Sequence, residues 1–128
     1  MNLHITSVYA ALLGLLFILL SFKVSKHRLA GHVSLGDGGN PELALAIRAH
    51  ANFAEYVPLG LILLGLVEAQ GGSVLATHAL GGGLLLGRVL HAWGMAQPRA
   101  VSNARKIGIV FTWLVIVIAS VLLLARLA

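Results

Sequence analysis

From Ile107 to Ala125 the chain carries no charged side chain. At about 1.5 Å of rise per residue, that stretch is long enough to cross a hydrocarbon layer roughly 30 Å thick. Inside lipid no water is available to the peptide groups, so a single crossing segment has to satisfy its N–H and C=O groups internally, as a helix. The pattern recurs upstream. Ile5 to Phe22 is equally free of charge and closes on Lys23, Lys26 and Arg28, and two further apolar stretches run from Leu43 to about Ala69 and from about Ser73 to Ala96. With 59% hydrophobic residues, 10% charged residues and a mean hydropathy of +0.94, no other class fits. The expected fold is all-α: an integral membrane four-helix bundle forming one domain over residues 1–128, with spans at about 5–22, 43–69, 73–96 and 107–125. The first span has no basic segment before it and no small-residue cleavage pattern, so it is expected to stay in the mature protein.

The connections follow from turn chemistry. Gly36-Asp37-Gly38-Gly39-Asn40-Pro41-Glu42 is a run of turn formers and acids that belongs outside lipid and ends at a helix start. Gly71-Gly72 leaves room for only a tight hairpin between the second and third spans. Pro58 removes one backbone hydrogen bond within the second span and is the expected site of a kink. Gly83 and Gly87 form a small-xxx-small pair that permits close helix contact. Four spans put both termini on one side. Lys23, Lys26, Arg28, Arg99, Arg105 and Lys106 all fall at the first and third loops, so these are expected to be cytoplasmic and the termini outside. The net charge of +5 is thereby explained by membrane topology, and nucleic-acid binding is not expected. The absence of cysteine excludes disulfides and thiolate metal sites, and no metal site is expected.

Two spans contain polar groups where lipid disfavours them. On a helix, Asn52 lies roughly 40° and Glu55 roughly 20° to either side of Arg48, which makes one narrow stripe. A charge at mid-bilayer costs on the order of 3 kcal/mol on insertion scales, so the stripe should face a partner, a ligand or a wet cavity. On the third span Arg88 and His91 share a face with Met95. Arg48 and Arg88 sit about 9 Å and 12 Å in from the same membrane surface, so the two stripes can meet. An Arg–Glu pair locking two helices would account for Glu55 and one arginine, but not for Asn52, His91 and the second arginine. A ligand with several carboxylates satisfies more of them. His50 points away from this set. His78 and His91 have a rise between them suited to two stacked haems, but they differ in direction by about 140° and supply only two ligands.

Arg48-x-x-x-Asn52-x-x-Glu55-Tyr56-x-Pro58 resembles the second-helix signature of the MAPEG family, the membrane-associated proteins in eicosanoid and glutathione metabolism. Gly87-Arg88-Val89-x-His91 resembles the corresponding third-helix segment, and the likeness covers nearly the whole chain, leaning toward the short bacterial inner-membrane members. The resemblance implies a homotrimer that binds glutathione as co-substrate between subunits near the cytoplasmic face. It implies that Arg48, Asn52, Glu55, Tyr56, Arg88 and His91 hold glutathione, with Lys26 or Arg28 contributing from the end of the first helix. Arg105, with Lys106 and Arg99 as alternatives, would activate the thiol. The reaction implied is that of a glutathione transferase or peroxidase acting on a lipophilic electrophile or a hydroperoxide that arrives from membrane lipid. One departure is Met95, where family enzymes often carry tyrosine.

Two other functions are compatible with four short spans. A small proton-coupled multidrug-type transporter would use Glu55 as a cation site, although neighbouring arginines repel cations. A non-catalytic glutathione-binding membrane protein would keep the stripe without turnover.

Overall fold

Each of the four apolar segments folds as one long helix, in a computed structural model that describes residues 3–97 and 102–126. The helices are α1 (His4–Gly31), α2 (Pro41–Ala69), α3 (Val74–Met95) and α4 (Asn103–Ala125). All four are long and apolar enough to cross a membrane. The helix boundaries exceed the hydropathy boundaries for local reasons. α1 continues past Phe22 through its basic residues and stops only where His32 turns left-handed, with φ at 52°. α2 begins at Pro41 because the Asn40 side chain accepts the N–H groups of Glu42 and Leu43. α4 begins before the apolar run because Ser102 caps it, so Arg105 and Lys106 stand in its first turns rather than in a loop. α2 passes through Pro58 without interruption.

The α2–α3 connection is as short as the glycines imply. Gly71 adopts φ 78°, and Gly72 donates back to the carbonyl of Val67. α1 and α4 flank this hairpin on opposite sides, each touching α2 and α3 and, among the described residues, neither touching the other. The core runs through Leu13, Phe53, Val57, Leu64, Leu80 and Leu84. Side chains such as Leu15, Leu19, Ile62, Val117 and Val121 point outward, while Thr77, Arg88, His91 and Thr112 are buried. Apolar outside and polar inside is the arrangement expected of a helix bundle whose solvent is lipid.

The α3–α4 seam is built on backbone contact. A Cβ at Gly87 would stand 2.9 Å from the carbonyl oxygen of Gly108, and one at Gly108 would stand 2.5 Å from the backbone nitrogen of His91. Gly83 faces Val115 on the same seam, as the small-xxx-small spacing predicts. At the end opposite the basic loops, two side chains tie the bundle together. Glu68 accepts the N–H groups of Ile5 and Thr6, capping α1 from the far end of α2. Arg126 donates to the carbonyls of Gln70 and Gly71.

Candidate functional site

The site starts from Arg88. α3 carries it into the centre of the bundle, where it is 1% exposed. Its Nη2 donates to Oδ1 of Asn52 on α2 at 3.0 Å, while Nε and Nη1 are buried without a hydrogen-bond partner. Burying an arginine with two donors unanswered is costly, and a site that keeps them is one where an anionic partner can be received. Tyr56, one turn beyond Asn52, lies within electrostatic range of the guanidinium. One turn along α3 from Arg88 is His91, 4% exposed and within electrostatic range of both Arg88 and Arg105.

The glycine seam brings the third wall. With no side chains at Gly87, Gly94 and Gly108, the start of α4 lies directly on α3. Ser102 fixes the register by donating to the carbonyl of Gly94 at 3.1 Å and accepting the backbone N–H of Arg105 at 3.2 Å. The result is an open groove of about 330 Å³ between α2, α3 and α4, lined by Asn52, Tyr56, His91, Arg105, Lys106, Ile109 and Trp113. One end carries two cations at the positive terminus of α4. The other is walled by Ile109, about 6 Å deeper along the same helix, and Trp113, about 12 Å deeper. Such a groove can hold an anionic group at its mouth beside an apolar group along its deeper wall.

The MAPEG family model matches residues 6–125, nearly the whole of this bundle. The chain belongs to the MAPEG family. It is also 36% identical over 109 residues to the inner membrane protein YecN of Escherichia coli strain K12, covering 85% of this chain and 82% of that protein. The YecN protein of E. coli O6:H1 strain CFT073 matches to the same extent.

The MAPEG signature on α2 is divided in space. Asn52 and Tyr56 line the groove. Arg48 and Glu55 lie beside it on the outer surface of the chain, 62% and 52% exposed, with Nη1 and Oε1 3.8 Å apart. The Arg–Glu pair is therefore formed along α2 and does not lock one helix to another. Arg28 is placed elsewhere: its Nη1 donates to the carbonyls of Val33, Ser34 and Gly36 and so organises the first loop. Arg99 lies outside the described residues. His50 turns toward α1, stacked on Phe17 with ring centroids 4.7 Å apart and bonded to Ser21 at 2.9 Å. His78 bonds Tyr9 of α1, well away from His91.

Sequence reasoning did not find Ile109, Trp113 or Gly108. The first two are apolar residues in an apolar span and carry no signal of their own. Gly108 did carry one, since a glycine near the start of α4 can meet Gly87 near the end of α3 in an antiparallel pair.

Proposed function

We propose that this MAPEG protein binds glutathione in the α2–α3–α4 groove and uses it as a transferase or peroxidase against lipophilic electrophiles or hydroperoxides dissolved in the membrane. The observation that carries the proposal is the buried Arg88 guanidinium, with two donors unanswered, bonded to Asn52 in the wall of a groove with a cationic mouth. A tripeptide with two carboxylates supplies the acceptors those donors lack. Family membership supports a glutathione-related function, and the name of the relatives supports residence in the inner membrane. The basic residues at the first and third loops support a topology with those loops cytoplasmic and the termini outside.

The residues divide the work by chemistry. Arg88 and Asn52 orient carboxylate and peptide oxygens, and Tyr56 and His91 offer further hydrogen bonds. Arg105, in the first turn of α4, adds its charge to the positive end of the helix. There it favours a thiolate over a thiol of pKa near 8.5, and the released proton leaves to water at the cytoplasmic mouth. The thiolate sulfur then bonds to the electrophilic carbon, displacing a leaving group that departs with the electron pair of its bond to that carbon, or bonds to the terminal oxygen of a hydroperoxide, breaking the O–O bond. In the second case the alkoxide takes a proton from water and leaves as the alcohol, and a second glutathione reduces the resulting sulfenic acid to the disulfide and water. Ile109 and Trp113 admit the apolar reactant and exclude water from the step.

The working unit is a homotrimer. An ion pair more than half exposed on the side of a membrane span is poorly placed against lipid, and the Arg48–Glu55 face of α2 is well placed to meet a second copy. In the assembled protein Glu55 would take the amino group of glutathione and Arg48 a carboxylate. Calorimetric titration of the full-length protein in detergent with glutathione tests the reading. Saturable binding is expected, at least tenfold weaker in Arg88→Gln and in Glu55→Gln with thermal stability retained. Absence of saturable binding in the wild-type protein would overturn it.

A further inference from the structure

A second polar pocket, of about 300 Å³, opens where the cytoplasmic ends of α1, α2 and α3 come together. It shares no lining residue with the glutathione groove. Its rim is charged, with Lys23 and His27 one turn apart on α1 and Glu42 facing them from the start of α2. Its floor is apolar, made by Leu45 and Met95. His27 Nδ1 lies 3.9 Å from a Glu42 carboxylate oxygen, while Lys23 has no ion-pair partner among the described residues.

The depth of this pocket is set by the sequence around it. Lys23 is the first charge after the uncharged run from Ile5 to Phe22, so it marks the edge of the hydrocarbon. From Lys23, α1 continues about 12 Å to Gly31, which carries it through the headgroup layer. Immediately on the lipid side, Leu19 and Phe22 stand exposed, a surface for acyl chains. A ligand here therefore sits at headgroup depth, meets the Lys23 ammonium and the His27 imidazole on one wall and the Glu42 carboxylate on the other, and continues into an apolar surface.

From this juxtaposition we infer that the pocket is a site for a zwitterionic phospholipid carrying a primary ammonium, with the phosphate between Lys23 and His27 and the ammonium on Glu42. Charge complementarity selects this headgroup over its neighbours. An anionic glycerol headgroup would leave Glu42 facing a negative ligand, and a quaternary ammonium has no N–H to donate to that carboxylate. The site is independent of the glutathione reading, because none of its residues belongs to the groove.

Native mass spectrometry of the delipidated full-length protein tests it, with titrations of phosphatidylethanolamine, phosphatidylglycerol and phosphatidylcholine of matched chains. Phosphatidylethanolamine is expected to saturate at a concentration at least fivefold lower than the other two. Lys23→Gln should weaken phosphatidylethanolamine and phosphatidylglycerol alike by at least fivefold, with Lys23→Arg restoring both. Glu42→Gln should weaken phosphatidylethanolamine alone. Soluble phosphoethanolamine should compete only at concentrations at least a hundredfold higher, since it lacks the chains that contact Leu19 and Phe22. Equal affinity for the three lipids would overturn the inference, as would unchanged phosphatidylethanolamine binding in Glu42→Gln or competition by phosphoethanolamine at lipid concentrations. Glutathione affinity measured on the same folded variants should match wild type, so a failure here is distinguishable from a failure of the groove.

Discussion

Gly108→Ala puts the helix seam to a direct test. The added methyl carbon would stand 2.5 Å from the backbone oxygen of Gly87, 2.5 Å from the backbone nitrogen of His91 and 2.9 Å from its Cα, whereas ordinary contact begins near 3.4 Å. All three obstacles are backbone, so no side chain can rotate away and α3 and α4 must separate by about 0.9 Å. Overpacking of this kind costs about 1–3 kcal/mol. The displacement falls where His91 and Arg105 form opposite walls of the groove, and a misplacement near 1 Å can reduce a rate by up to ~100-fold. Thermal unfolding in detergent, glutathione titration and conjugation of a chlorodinitroarene should therefore all report a loss. Gly82→Ala is the control, because its Cβ would meet only the Tyr9 hydroxyl at 3.6 Å and should behave as wild type. Wild-type stability and affinity in Gly108→Ala would refute the close crossing as the element that positions the groove.

Arg105→Ala should lower the conjugation rate by about 10- to 100-fold while glutathione affinity stays within threefold, because in the proposed function its charge acts on the thiolate more than on the bound carboxylates; equal losses in rate and affinity would make it a binding residue. Glu68→Ala removes the acceptor for two α1 N–H groups and should cost about 0.5–2 kcal/mol in unfolding experiments, with glutathione affinity unchanged because the groove lies toward the other membrane surface. His50→Phe should keep the stack on Phe17, lose the bond to Ser21, destabilise by about 0.5–1.5 kcal/mol and leave glutathione affinity within twofold; a large affinity loss would mean that α1 transmits to the groove.

The legibility of this protein in its sequence was uneven. The four helices could be read because lipid enforces a local rule: each crossing segment must satisfy its own backbone, so apolar length announces a helix without knowledge of its neighbours. The stripe of Arg48, Asn52 and Glu55 and the opposing Arg88 and His91 could be read for a related reason, since polar groups in such a segment require company. The helix starts at Pro41 and Asn103 were set by Asn40 and Ser102, whose short-range caps hydropathy does not register.

Which polar group meets which was decided in three dimensions. The angular count brings Arg48, Asn52 and Glu55 within one narrow arc, yet small differences within that arc send Asn52 to Arg88 and leave Arg48 and Glu55 to pair along α2. Arg28 could have reached toward the groove, but three carbonyls of a turning loop lie closer to hand. Ile109 and Trp113 became groove walls only because Gly87, Gly94 and Gly108 let α4 settle on α3. The sequence by itself determined that this is a membrane bundle with charge to shelter, because the cost of charge in lipid is paid residue by residue. The tertiary structure decided where the shelter lies, because a groove is made by the distance between helices and no single helix carries that distance in its own pattern.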